Sequence, residues 1–261
     1  MTVNPHEKPL LSTLRGTGRF IRDLWGIVLV LALWEAVVVL NRFNAIVLPR
    51  PLDVLREMAA NPDVYLGSLA QTGMIAAGGL AIGAAVGTSI AVLAWYSRIL
   101  EGLLTPLGLI FSSIPVVAMI PVLARLLGYD VRTVLAIVAI LSFFPFFVFT
   151  SSGLRALPPG SGDLMRVFGA RKHVFLLRLS LPAALPNWLV ACRLAVPNAI
   201  LAAMVAEFLM GTSGLGALLH AASQEFQTER ALGASVMATL VSVTLFVIVS
   251  RAERQVREIW S

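Results

Sequence analysis

The sequence predicts an all-α, polytopic membrane protein with six transmembrane helices, and three observations carry that expectation. Apolar residues make up 58% of the chain and charged residues 13%, with a mean hydropathy of +0.86, outside the range of an ordinary soluble domain. The apolar residues gather in runs at 24–40, 69–96, 103–127, 133–150, 185–210 and 232–250, each long enough or nearly so to cross ~30 Å of hydrocarbon. The basic residues lie mostly between these runs, with a bias towards one side. Placing both termini in the cytoplasm puts thirteen basic residues inside and six outside, with Arg193 embedded. That side preference accounts for the net charge of +6, so nucleic acid is not an expected partner; only Lys8 and Lys172 are lysines.

The domain division follows. Residues 1–23 read as a retained cytoplasmic tail, because the first 22 are basic and polar and lack an apolar core followed by a small-residue cleavage site. Residues 24–250 form the membrane domain, interrupted by a cytoplasmic loop at 151–184, and 251–261 form a second cytoplasmic tail. Cys192 is the one cysteine, which excludes an intramolecular disulfide or a cysteine metal site.

The first run carries Trp25 near its inner end and Glu35 deep within it. A carboxyl group there is costly unless it faces protein or water, so Glu35 is either a path or subunit-contact group or an interfacial residue. Asn41 to Ser68 is polar, with Pro49, Pro51 and Pro62. It reads as an extracytoplasmic segment holding a surface helix from Asp53 to Ala60, either a connector or a contact for a soluble receptor.

The second run is rich in small residues. Gly79, Gly83 and Gly87 form one stripe at four-residue spacing, and Gly73, Ala77, Ala81 and Ala85 form another. Because lipid supplies no hydrophobic force between helices, such stripes favour close backbone packing. Pro106, Pro115 and Pro121 break the third run and Pro145 the fourth. Freed carbonyls are tolerable only where neighbours or water satisfy them, so Ser112-Ser113-Ile114-Pro115 is either a path lining or a structural kink.

In the fifth run, Arg193 and Glu207 stand fourteen residues apart, roughly 21 Å along a helix, too far to pair with each other. Each needs a partner elsewhere, unless Arg193 snorkels to the inner headgroups. Gly211-Thr212-Ser213-Gly214-Leu215-Gly216 reads as a flexible turn. Ala217 to Gln224 then forms a short apolar helix that does not span, hence a re-entrant or interfacial segment. Arg251, Arg254 and Arg257 anchor the last helix inside.

The loop from Leu157 to Pro186 is too ordered for a linker. Ser161, Gly162 and Asp163 start a helix, Leu164 to Phe168 supply an apolar turn, and Gly169 ends it in a left-handed conformation. A second helix is expected from Arg171 to Leu181, stopped by Pro182, with Arg171, Lys172 and Arg178 on its polar side. The product is a basic two-helix knob shaped to dock into a partner.

Asp163-Leu164-Met165, Gly169-Ala170, Leu179 and Leu181-Pro182 resemble, in spacing, the cytoplasmic loop of permease subunits of binding-protein-dependent ATP-binding-cassette (ABC) importers. Asp163 stands where that family usually has Glu, and Leu164-Met165 replace Ala-Ala. The resemblance runs from about Leu48 to Trp260. Leu48-Pro49-Arg50-Pro51, the Pro115–Pro121 segment, Cys192-Arg193-Leu194-Ala195 and Glu207 with Gly211–Gly216 are similar to the nitrate, sulfonate and taurine branch. The resemblance implies a type I ABC importer-like fold in the bacterial inner membrane, with a coupling helix. It also implies a second permease copy in a homodimer, two ATP-binding subunits, an extracytoplasmic substrate-binding protein, and a gate at Gly211 and Gly214.

Enzyme chemistry is not expected. Neither lysine follows the glycines of a phosphate loop, so ATP is expected on a partner chain, with no cofactor on this one. No His-Glu-x-x-His or Gly-x-Ser-x-Gly occurs, so neither a metal site nor catalytic residues are assigned. The alternative function is an ion-gradient-driven secondary transporter or channel using Glu35, Arg193 and Glu207, against which no inverted repeat is evident. A membrane anchor without transport activity is a third possibility, opposed by the proline-broken helices.

Overall fold

The computed structural model describes residues 25–97, 99–100, 102–103, 106, 115–157 and 159–260. The expected N-terminal tail, Ser112 and Ser113 lie outside the described residues. Every regular element among the described residues is helical. In chain order these are α1 (Trp25–Leu40), α2 (Pro51–Ala60), α3 (Pro62–Tyr96), α4 (Val116–Leu127) and α5 (Val131–Gly153). There follow α6 (Ser161–Val167), α7 (Lys172–Phe175), a π-helical turn (Leu176–Ser180), α8 (Leu181–Met210), α9 (Gly214–Gln224) and α10 (Thr228–Trp260). Among the described residues four helical runs are long and apolar enough to cross a membrane, Pro62–Tyr96, Val131–Gly153, Lys172–Met210 and Thr228–Glu258; Trp25–Leu40 and Ala118–Leu127 are shorter apolar helices.

Local chemistry sets the boundaries. Pro51 and Pro62 open α2 and α3, where a missing N–H costs nothing and a fixed φ helps. The Asp130 side chain accepts from the Arg132 N–H at 2.8 Å and caps α5. Gly211, at φ +62°, ends α8 by donating its N–H to the Glu207 carbonyl at 2.7 Å.

The core is α3, α5 and α8, and backbone proximity makes it. A Cβ placed on Gly79 would stand 2.6 Å from Val138 Cβ, on Gly83 2.5 Å from the Ala139 carbonyl oxygen, and on Gly87 2.6 Å from that of Phe143. The first small-residue stripe is thus the seam of α3 on α5. The second is not: Ala77, Ala81 and Ala85 are exposed, and a Cβ on Gly73 would meet nothing within 4 Å. Further along α5, Gly153 lies against Ala184 and Asn187 of α8, and α8 presents the buried alanines Ala191, Ala195, Ala199 and Ala203. Ile75, Val134, Ile137, Val138, Met204 and Leu215 fill the space between.

Pro182 does not stop the second helix of the loop. The helical run continues from Lys172 to Met210 and carries the loop directly into the fifth span. A proline here would clash with the carbonyl four residues back, but the π-helical turn Leu176–Ser180 widens the ladder just before it and accommodates the ring.

Candidate functional site

Two ends of the bundle carry the residues singled out from the sequence. At one end, α3, α5 and α10 finish and α8 begins, with the knob between them. At the other lie α2, α9 and the start of α10.

The knob is built on an anchored side and an open side. Phe175 stacks on Trp95 of α3 with ring centroids 5.8 Å apart, and Leu176 is buried with Leu154 and Ala184. Leu179, Leu181 and Pro182 are half-buried on this side. On the open side α6 ends as expected, with Gly169 at φ +63° and the Ala170 N–H donated to the Met165 carbonyl at 3.0 Å. Leu164 is 57% exposed, Val167 83% and Phe168 73%, so an apolar patch projects beside exposed Asp163, Arg171, Lys172 and Arg178. A monomeric surface does not usually present three adjacent large apolar side chains without a partner.

At the opposite end, Glu207 is fully buried. Its Oε2 accepts from the Thr72 hydroxyl at 2.7 Å and from the Gly216 N–H at 3.1 Å. Thr72 Oγ1 in turn accepts from the Leu215 N–H at 2.8 Å, and Gln71 Oε1 from the Gly214 N–H at 3.0 Å. The first N–H groups of α9 are therefore satisfied by side chains of α3 and α8, while Ser213 at the N-cap makes no side-chain cap. The glycines permit this closeness rather than flexibility. Gly214 sits at φ +79°, and a Cβ there would lie 2.6 Å from both carboxyl oxygens of Glu207. The segment read as a flexible turn is a fastened junction, and α9 begins at Gly214, within it.

The remaining candidates have separate partners. Glu35 lies 3.8 Å from Arg50 and is 41% exposed, next to Trp34, whose Nε1 donates to the Pro49 carbonyl at 3.1 Å. Arg193 pairs with Glu253 of α10 at 3.0 Å, which supplies the partner the fifth helix lacked. Pro115 is the exposed N-cap of α4. On the outer faces of α8 and α10 a groove of about 620 Å³ is lined by Pro197, Asn198, Phe208, Leu219, Ser235 and Thr239.

Thr72, Gln71, Trp95 and Glu253 were not singled out from the sequence. Thr72 was findable: it stands seven residues before Gly79 and eleven before Gly83, so it shares their packed face and brings a hydroxyl to it. Glu253 was visible as an acid among the arginines of the last helix.

Membrane-length helices sharing a glycine- and alanine-lined core, with an exposed basic knob at one end and a short non-spanning helix at the other, define a polytopic membrane protein. Comparison with known proteins makes this specific. Residues 73–257 match the family "Binding-protein-dependent transport system inner membrane component", and the chain belongs to that family. It is 28% identical over 207 residues to the formylaminopyrimidine transport permease protein ThiX of Halalkalibacterium halodurans, covering 79% of this chain and 83% of that one. It is 29% identical over 215 residues to the putative aliphatic sulfonates transport permease protein SsuC of Bacillus subtilis, covering 81% and 78%. Among solved structures, an amino acid ABC transporter aligns at a TM-score of 0.65 with 16% identity, over 76% of this chain and 97% of that one. An inward-facing form of the MetNI methionine ABC transporter aligns at 0.60 with 19% identity, over 77% and 98%. The fold is that of type I ABC importer permeases, and the chain is the inner-membrane permease component of a binding-protein-dependent transport system, which does not favour an ion-gradient carrier.

Proposed function

We propose that two copies of this chain enclose a passage through the bacterial inner membrane, both termini in the cytoplasm. Two ATP-binding subunits drive it, and an extracytoplasmic binding protein delivers the solute. ATP is held by those partner subunits, and this chain carries no cofactor. The exposed apolar patch of Leu164, Val167 and Phe168 beside Asp163 is the observation that carries the proposal. It sits on α6, which the Gly169 turn joins to a helical run that continues from Lys172 into α8, so a push on the knob is delivered to a spanning helix. ATP-driven closure of the ATPases then tips the bundle between inward- and outward-facing states as rigid bodies.

The basic residues support the orientation. Arg155, Arg171, Lys172, Arg178, Arg251, Arg254 and Arg257 all lie at the knob end, the side expected to face the cytoplasm. The solute is a small molecule of the nitrate, alkanesulfonate or taurine type. Relatives named for formylaminopyrimidine, sulfonates and riboflavin share this scaffold, which supports placing most of the specificity in the binding protein.

The test is purification of the tagged chain from its native membrane in mild detergent, with mass spectrometry of partners and ATPase assay of the eluate. An ATPase subunit is expected to co-purify and to be lost with Asp163→Arg or Phe168→Ser while the chain itself remains inserted. Recovery of the chain alone across several mild detergents would overturn the proposal.

A further inference from the structure

We infer that α3 is the rod that links the knob to α9, with Trp95 and Thr72 as the positioning residues at its two ends. The inference rests on the proposed docking of the ATPase at the knob. Trp95 stacks on Phe175, the last residue of α7, at 5.8 Å with the rings 24° from parallel. At the other end Thr72 both donates to Glu207 and accepts from the Leu215 N–H, and the neighbouring Gln71 accepts from Gly214. The two contacts are 23 residues apart, ~35 Å along a helix, most of the thickness of a bilayer.

Three features fit α3 for this role. Its hydrogen-bond ladder has no internal proline, whereas α4, α5 and α8 are interrupted by Pro121, by Pro145, and by Pro186 and Pro197. Prolines are where helices kink, so α3 transmits a displacement with less bending than those three. Its Gly79, Gly83 and Gly87 seam presses it onto the α5 backbone, so the pair moves as one body. Finally, α9 depends on α3 for its own N-terminal caps, so displacement of α3 draws the start of α9 with it. Motion of α9 thus follows from tilting of α3, not from hinging within residues 211–216.

The experiment uses the full complex with its ATPase subunits in a Cys192→Ser background, which removes the one native thiol of this chain, and labelling is read on this chain alone. A single new cysteine replaces exposed Ala221 on α9. Its rate of reaction with a membrane-impermeant maleimide is measured with and without ATP plus vanadate, which arrests the ATPases. In the parent complex a several-fold change of rate between the two states is expected. Trp95→Ala and, from the other side of the stack, Phe175→Leu should abolish that change while the ATPase still binds and hydrolyses ATP, and Trp95→Phe should restore it. Thr72→Val should abolish it and Thr72→Ser retain it, a pattern that a general loss of stability does not produce.

A nucleotide-dependent change that persists in Trp95→Ala, Phe175→Leu and Thr72→Val overturns the rod. So does a parent complex that hydrolyses ATP with no change at Ala221→Cys. Absence of any ATPase subunit from the parent complex is a separate outcome, which overturns the underlying docking as well.

Discussion

Arg193 of α8 and Glu253 of α10 form an ion pair, Nη1 to Oε2 at 3.0 Å, and the same carboxylate holds Arg257 Nη2 at 2.9 Å. Glu253 is 5% exposed and Arg193 35%. One buried acid therefore gathers two arginines near the knob end and fixes the extension of α10 to the flank of α8. An arginine within a span is stable when it has such a partner.

Removal of Glu253 should leave Arg193 without its counter-ion in a partly buried place. A fully buried pair broken from one side costs about 3–5 kcal/mol, and exposure of Arg193 reduces that to about 2 kcal/mol for Glu253→Ala. Arg193→Gln should cost less, because Glu253 keeps Arg257. Thermal unfolding of the detergent-solubilised chain measures both, and the double variant should be less destabilised than the sum of the singles. Strict additivity would show that the pair is not coupled.

The α3–α5 seam makes a second prediction. The Cβ of Gly83→Ala would lie 2.5 Å from a backbone oxygen and 2.7 Å from Ser142 Cβ, so the helices must separate. Overpacking of this kind costs about 1–3 kcal/mol. Gly73→Ala, with nothing within 4 Å of the new methyl group, should leave the melting temperature of the purified chain unchanged or slightly raised. Equal effects at the two positions would refute the assignment of the seam.

Much of this architecture is legible in the sequence because lipid makes its rules strict. Four of the six expected spans announce themselves by length, while Trp25–Leu40 and Ala118–Leu127 are shorter apolar helices; a four-residue glycine stripe announces a close helix pair, although choosing between the Gly79 and Gly73 stripes required the fold. The Gly169 turn was legible because a left-handed residue after one helical turn has few alternatives. The site at Glu207 was half legible. The carboxyl group and the glycines stood out, but the partner Thr72 lies 135 residues away, a separation that periodicity does not bridge. Pro182 misled for a local reason: a π-helical turn suspends the usual rule against proline in a helix, and nothing in the composition of Leu176–Ser180 signals it.

The final prediction separates two reasons for needing glycine. Gly169 and Gly214 share a positive φ, +63° and +79°, and each should resist alanine by roughly 1–2 kcal/mol for that reason alone. Gly169 has open space around it, so Gly169→Ala should cost no more than that. At Gly214 the methyl group would press on both Glu207 oxygens and on the Thr72 hydroxyl, and it cannot enter without breaking their hydrogen bond. Breaking it leaves the buried Thr72 O–H without its acceptor and leaves Glu207 Oε2 with the Gly216 N–H alone, a loss of about 1–3 kcal/mol. Gly214→Ala should therefore be about 1–3 kcal/mol more destabilising than Gly169→Ala by thermal unfolding in the same detergent. It should also raise hydrogen exchange at the Leu215 and Gly216 amides, which Gly169→Ala leaves protected. Equal costs, with both amides still protected, would mean that α9 is not fastened through Thr72 and Glu207.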